Sequence, residues 1–172
     1  MHPAPVDVIV PVYNEEAALP AFHRRLTGLD LPVRPIYIDN GSTDGSLRLL
    51  HSFAGAVVIE HATNEGYGAS LRDGIRRATA ERIVIIDADC EYPPEAIPEM
   101  VSRLDQADVV YASRFLEPQQ TRMGWLKVFG NRVITRLFNL LFHQQLTDLY
   151  TGAKAFRREV VAELPMEQNG FE

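Results

Sequence analysis

Val6-Asp-Val-Ile-Val-Pro-Val-Tyr13 is a β-branched run too short to be a helix, and runs of the same kind recur at Val33 to Asp39, Ala56 to Glu60, Arg82 to Asp87 and Asp108 to Ala112. They predict five strands. Between them lie segments of helical length and pattern: Glu15 to Thr27, Asp44 to Phe53, Gly66 to Ala80 and Pro94 to Leu104. Turn or capping chemistry precedes each, such as Ser42-Thr43-Asp44 and Tyr92-Pro93-Pro94. Strands that alternate with helices, and that are apolar almost throughout, require a largely parallel sheet covered on both faces. The class is α/β.

With 172 residues, 46% hydrophobic and 23% charged, the chain is expected to form one domain with one substantial core. Its single cysteine, Cys90, cannot staple the fold and points to a reducing compartment or to indifference to redox state. The N-terminus has neither a basic nor an apolar signal region, and no apolar run approaches the roughly 20 residues that span a bilayer. A cytoplasmic location is expected. Charge is divided unevenly along the chain. Residues 1–121 carry 10 basic and 18 acidic groups, whereas residues 122–158 carry seven basic groups against the single acid Asp148. A basic segment on an acidic body argues against general nucleic-acid binding and for a local anionic partner, a phosphate or an anionic membrane surface.

Beyond Ala112 the pattern changes. A polar connection from Glu117 to Thr121 leads into an amphipathic stretch from Arg122 to Phe142, where Leu126, Phe129, Val133, Leu137 and Leu141 fall at steps of three and four. This predicts a helix that either packs its apolar stripe on the core or rests it on a membrane, since Trp125 and several Phe residues accompany Arg132 and Arg136.

In open α/β sheets ligands bind beyond the carboxyl ends of the strands, so the residues that follow each strand are the candidates. Asp87 and Asp89 emerge from Ile83-Val84-Ile85-Ile86, and two like charges at the end of a buried strand are costly unless a cation offsets them. In an extended chain, residues two apart point the same way, so the pair and Glu91 are expected to converge on one ion. Oxygen-only ligands suit Mg2+ or Mn2+, which are commonly shared with substrate phosphates. Asp39 ends the second strand, placed to accept hydrogen bonds from a base or ribose, while the rest of Asn40-Gly-Ser-Thr-Asp44 reads as a turn into a helix. Gly66-Tyr-Gly68 lacks the third glycine of a dinucleotide loop. His2, His23, His51, His61 and His143 have no metal-ligand spacing and are read as surface or structural residues.

The succession Val10-Pro-Val-Tyr-Asn-Glu-Glu16, Asp39-Asn-Gly-Ser-Thr-Asp-Gly-Ser46, Asn64-Glu-Gly-Tyr-Gly-Ala69, Asp87-Ala-Asp-Cys-Glu-Tyr-Pro-Pro-Glu95, Ala112-Ser-Arg-Phe115 and Asp148-Leu-Tyr-Thr-Gly152 resembles the family 2 glycosyltransferases of GT-A fold. Among them it is most similar to the branch that makes dolichol-phosphate mannose and other polyprenyl-phosphate sugars. The resemblance implies that Pro11, Tyr13, Glu15 and Asp39 hold the nucleoside of a GDP- or UDP-linked sugar, while Asp87, Ala88 and Asp89 border the diphosphate and a divalent metal, with Glu91 in the place of a usual Gln. It also implies that Asp89 and Arg114 take part in catalysis, and that Arg114, Lys127, Asn131 and Arg132 face a lipid phosphate acceptor, with the protein peripheral at the inner face of the cell membrane. Asn40 stands where an Asp is common. Residues 1–112 are then a nucleotide-sugar-binding half and 113–172 an acceptor-side half. Gly170-Phe-Glu172 resembles the start of a segment that in this family continues, so a C-terminally truncated form is expected.

The expected chemistry is an inverting, metal-assisted transfer. An ionised phosphate acceptor needs no strong base, which fits the lack of an obvious His-carboxylate pair. Three alternatives stay open: an acceptor that is a glycan hydroxyl, a nucleotidyltransferase, and a non-catalytic nucleotide-sugar binder. The acidic Tyr13-Asn-Glu-Glu16 loop speaks against the second.

Overall fold

The computed structural model describes residues 5–113, 125–149 and 151–162. Strand β1 (Val6–Val12) lies at the centre, paired in parallel with β2 (Val33–Asp39) and with β4 (Arg82–Ile85), and β2 pairs in parallel with β3 (Val57–Glu60). The predicted β5 (Val109–Tyr111) does not reach β4. Between them runs β6 (Lys154–Arg157), antiparallel to both, so the sheet order is β3-β2-β1-β4-β6-β5. The four residues of β6 come from the segment read only as an acceptor-side half. They were not legible as a strand because two of them, Lys154 and Arg157, are charged.

Helices cover both faces, as expected. Helices α1 (Leu19–Thr27), α2 (Ser46–Ser52) and α4 (Ile97–Arg103) bury Phe22, Leu50 and Ile97 against Val8, Val10 and Val84. On the other face α3 (Tyr67–Arg77) and α6 (Arg158–Ala162) lie over Ile9, Ile38 and Ile83. Alternate β1 residues thus enter opposite cores, and each fully buried Val, Ile or Phe contributes roughly 1.5–3 kcal/mol.

Helix α1 begins at Leu19 rather than Glu15 for a local reason. The backbone N–H groups of Asn14, Glu15 and Glu16 donate to Ser42 Oγ, Ser46 Oγ and Asp44 Oδ2, at 3.0, 2.8 and 3.1 Å, which holds this stretch as a loop. The same contacts occupy Ser42 across the two loops. Helix α2 accordingly starts with Gly45 at its N-cap and no side-chain cap, although Asp44 Oδ1 accepts from the Ser46 N–H at 2.9 Å.

The long helix α5 (Trp125–Phe142) reverses the core-packing expectation. Phe129, Val133, Leu137 and Leu141 are exposed, as are Leu140 and Phe142. The stripe turned inward is polar: Asn131 Nδ2 donates to Asp148 Oδ1 at 2.8 Å, Thr135 Oγ1 accepts from the Leu149 N–H at 3.3 Å, and Asn139 exchanges two hydrogen bonds with Leu146. Side chains at i, i+4 and i+8 share one helix face, and here that face hydrogen-bonds the 146–149 loop.

Candidate active site

The register of the sheet brings the predicted residues to one edge. Val12 pairs with Asp39, Asp39 with Glu60, and Asp87 follows two residues after β4 ends. Asp39 is 1% exposed. Its Oδ2 accepts from the Ser42 N–H at 3.1 Å, but its Oδ1 is buried and has no hydrogen-bond partner. A buried acceptor left unpaired costs about 1–3 kcal/mol, and a bound donor group would recover it.

Pro11 ends β1 half-buried, and Tyr13 stands 47% exposed on the loop beyond it. Glu15 is half-buried on the same loop. Burial pushes its carboxyl up, and the charges of Asp89 and then Asp44 push it further, which places the β1, β2 and β4 loops within electrostatic reach of one another.

Asp87 is the group most altered by its surroundings. Burial drives its carboxyl up to about 6; the Tyr67 hydroxyl, donating to Oδ1 at 3.0 Å, lowers it, Asp89 raises it, Lys154 lowers it and Glu91 raises it again. A carboxylate that is desolvated and flanked by two like charges is the electrostatic setting a bound cation relieves. Ala88 is buried between Asp87 and Asp89.

The expected convergence of Asp87, Asp89 and Glu91 is corrected by the backbone. The strand has ended before Asp87, Cys90 has φ 60°, and the Glu91 N–H turns back to donate to Asp89 Oδ1 at 2.8 Å. Alternation holds only in an extended chain, so Asp89 is exposed where Asp87 is not. Among the described residues no group of three His, Cys, Asp or Glu is gathered as a metal-ligand set. Two carboxylates, Asp87 and Asp89, would suit a hard cation that took its remaining ligands from phosphate or water.

The acceptor-side residues are less assembled. Arg114 lies outside the described residues, and so does the side chain of Lys127. Arg132 is exposed on α5. Asn131, expected to face an acceptor phosphate, is 6% exposed, with its amide bonded to Asp148 and its Oδ1 accepting from Thr135 Oγ1 at 2.9 Å. The physical reason is Asp148, which is 1% exposed and also accepts from the Tyr92 hydroxyl at 3.3 Å. A buried carboxylate needs donors, and Asn131 supplies one.

Sequence reasoning missed several members of this edge. Tyr67, quoted within the Asn64-to-Ala69 motif but given no role, donates its hydroxyl to Asp87. Gly152 lies so close to Asp87 that a Cβ there would collide with Oδ2. His61 is buried, with Nδ1 3.0 Å from Asn40 Oδ1 and Nε2 3.2 Å from Asp73 Oδ2; Asn40 Oδ1 also accepts from the Glu65 N–H. That network ties the loops after β2 and β3 to α3. The only sequence signal for it was the Asn64-Glu-Gly motif beside a histidine that directly follows a strand.

The mixed, mostly parallel six-stranded sheet with helices on both faces has the GT-A fold. Residues 7–164 match glycosyl transferase family 2, and the chain belongs to that family. It is 32% identical over 168 residues to the undecaprenyl-phosphate 4-deoxy-4-formamido-L-arabinose transferase of Enterobacter sp. (strain 638), a match that covers 91% of this chain and 50% of that protein. The chain therefore spans about half the length of this curated relative. Among solved structures, a mannosyltransferase from Pyrobaculum calidifontis in complex with GDP-Man and Mn2+ superposes with a TM-score of 0.70 at 20% identity, over 97% of this chain and 49% of that one. Glucosyl-3-phosphoglycerate synthase from Mycobacterium tuberculosis, in complex with Mn2+, UDP and phosphoglyceric acid, does so with 0.72 at 23% identity, over 94% and 58%. These likenesses establish the fold.

Proposed function

We propose that the chain carries the donor site of a glycosyltransferase that passes a sugar from a UDP- or GDP-linked donor to a polyprenyl phosphate. The observation that supports this most directly is the unpaired Asp39 Oδ1, a buried acceptor at the same sheet edge as Asp87 and Asp89. A base N–H or a ribose hydroxyl satisfies it. Pro11, Tyr13 and Glu15 border the nucleoside, with the exposed Tyr13 ring available for stacking. Asp87 and Asp89 would hold Mg2+ or Mn2+, which supplies positive charge against a diphosphate leaving group. Tyr67 fixes the Asp87 carboxylate, so the orientation of that side chain is set before substrate arrives.

The reaction is an in-line displacement at the anomeric carbon. An acceptor phosphate oxygen forms the new bond, the bond to the diphosphate oxygen breaks, and its electron pair leaves with the nucleoside diphosphate, inverting the centre. Arg114 is assigned to offset the charge that develops there, and Lys127 and Arg132 to the acceptor phosphate. A phosphate monoester with a second pKa of about 6 is largely ionised at pH 7, so no side chain has to remove a proton. The relative's undecaprenyl-phosphate name and the exposed apolar face of α5 beside Arg132 and Arg136 support a lipid acceptor at a membrane surface. No helix among the described residues is long and apolar enough to cross a membrane.

Thermal melting of the purified chain with UDP and GDP, with and without Mn2+, tests the site, because a ligand selective for the folded state raises its melting temperature. Asp89→Ala is expected to remove the metal-dependent part of the shift; an unchanged shift puts the metal elsewhere. Incubation with labelled nucleotide-sugars and undecaprenyl phosphate tests the reaction. Metal-dependent label in the lipid is expected, and label appearing only in a glycan would replace the acceptor.

A further inference from the structure

Lys154 begins β6 in register with Ile85 of β4 and Tyr111 of β5. Paired residues on adjacent strands share a face, so Lys154 stands on the α3 side of the sheet at the end of β4, beside the residues that lead into Asp87. Its side chain is half-buried, and Nζ lies 5.7 Å from the centre of the Tyr111 ring. Among the described residues it makes no ion pair within 4.0 Å. Asp87 is close enough for each charge to act on the other, yet its Oδ1 is occupied by the Tyr67 hydroxyl and its Oδ2 lies against Gly152. Burial pulls the Lys154 ammonium down and Asp87 pulls it back up.

An ammonium has three N–H donors, and losing part of its hydration without a hydrogen-bonded anion costs free energy. Tyr111 offsets some of that through its ring face. The three donors themselves remain for a ligand. Asp87, together with the Asp89 and Glu91 charges that act on it, would repel an anion that arrived without a cation, so the ligand best matched here is one that binds a divalent metal and still has oxygens to spare. Phosphate has that property, and lysine serves it as a point charge.

We propose that Lys154 is a phosphate-binding residue of this site, receiving a phosphate oxygen of bound substrate on the α3 side of Asp87. The proposal rests on the donor-site reading above. Both a donor diphosphate and an acceptor monophosphate offer the required oxygen, and the experiment separates them. Titration calorimetry on the chain in Mn2+ measures UDP, GDP and undecaprenyl phosphate in detergent micelles, with uridine, guanosine and undecaprenol as counterparts lacking phosphate. Lys154→Met is expected to weaken one class of phosphate ligand by about tenfold or more, to leave any binding of the phosphate-free counterparts unchanged, and to be largely rescued in Lys154→Arg. Loss confined to UDP or GDP assigns the donor, and loss confined to undecaprenyl phosphate assigns the acceptor. Wild-type affinity for both in Lys154→Met overturns the proposal and leaves the donor site standing, as does an equal loss of nucleoside and diphosphate. A wild-type chain that binds none of the phosphate ligands overturns both.

Discussion

Asp7 carries a charge into the middle of the sheet and is 1% exposed. Arg34 grips both of its oxygens, at 2.6 and 2.7 Å, and the N–H groups of Thr79 and Ala80 donate to Oδ2 at 2.6 and 2.8 Å. Burial alone would raise this carboxyl, but Arg34 and the two backbone donors outweigh it and hold it below the ordinary 3.8. The unfolded chain therefore takes up a proton at higher pH than the folded one. The stabilisation is present above 3.8 and is lost as pH falls through the lower folded value. Asp7→Asn can keep its oxygen on the two backbone donors only by turning its NH2 group towards Arg34 Nε, and it is expected to cost about 2–4 kcal/mol in urea denaturation at pH 7. The gap between wild type and variant should narrow as pH falls below 3.8; a gap independent of pH would mean that the charge is not what stabilises.

At the scale of elements, α3 approaches the sheet at Gly74, where a Cβ would stand 2.5 Å from Ile9 Cγ2 and 2.9 Å from Ile38 Cδ1. Two effects oppose each other in Gly74→Ala. Helix propensity favours alanine by about 1 kcal/mol, whereas overpacking a tight core costs about 1–3 kcal/mol. Ile9 is β-branched on the central strand and has no room to move, so overpacking should win, with a net loss of about 1 kcal/mol or more in the same denaturation experiment. A stabilised variant would show that α3 can shift. The close approach has a functional side, because α3 begins at Tyr67 and thereby aims that hydroxyl at Asp87. Loss of register between α3 and the sheet would move the residue that fixes the candidate metal carboxylate.

On the scale of the molecule, the chain divides into an acidic sheet edge and a basic, outward-facing α5. Leu140 and Leu141 are 73% and 71% exposed at its end. An amphipathic helix with Arg132 and Arg136 alongside its apolar surface suits an anionic membrane, where each inserted leucine contributes about 1.5–3 kcal/mol. Co-sedimentation with vesicles containing phosphatidylglycerol is expected for the wild-type chain and should fall by about tenfold or more in a Leu140→Ser, Leu141→Ser double variant. Equal sedimentation of the two would assign α5 some other neighbour. Such a surface would bring a lipid phosphate to the same protein whose sheet edge is proposed to receive the donor.

The sequence by itself determined the α/β class, the five strands it named, the helices on both faces, and the clustering of Asp39, Asp87 and Asp89 at the strand ends. Those features follow from local periodicity and from the rule that ligands gather at the carboxyl edge. Tertiary structure alone decided the rest. Whether β5 meets β4 depends on β6, which closes only when residues more than 40 apart in sequence pair. Whether the apolar stripe of α5 faces the core depends on where the buried Asp148 finds donors, and it finds them at Asn131 and Tyr92. Whether Glu91 joins Asp87 depends on a turn at Cys90 that alternation cannot foresee. Hydrophobic pattern specifies what is buried within an element; the demands of buried charge specify which elements meet.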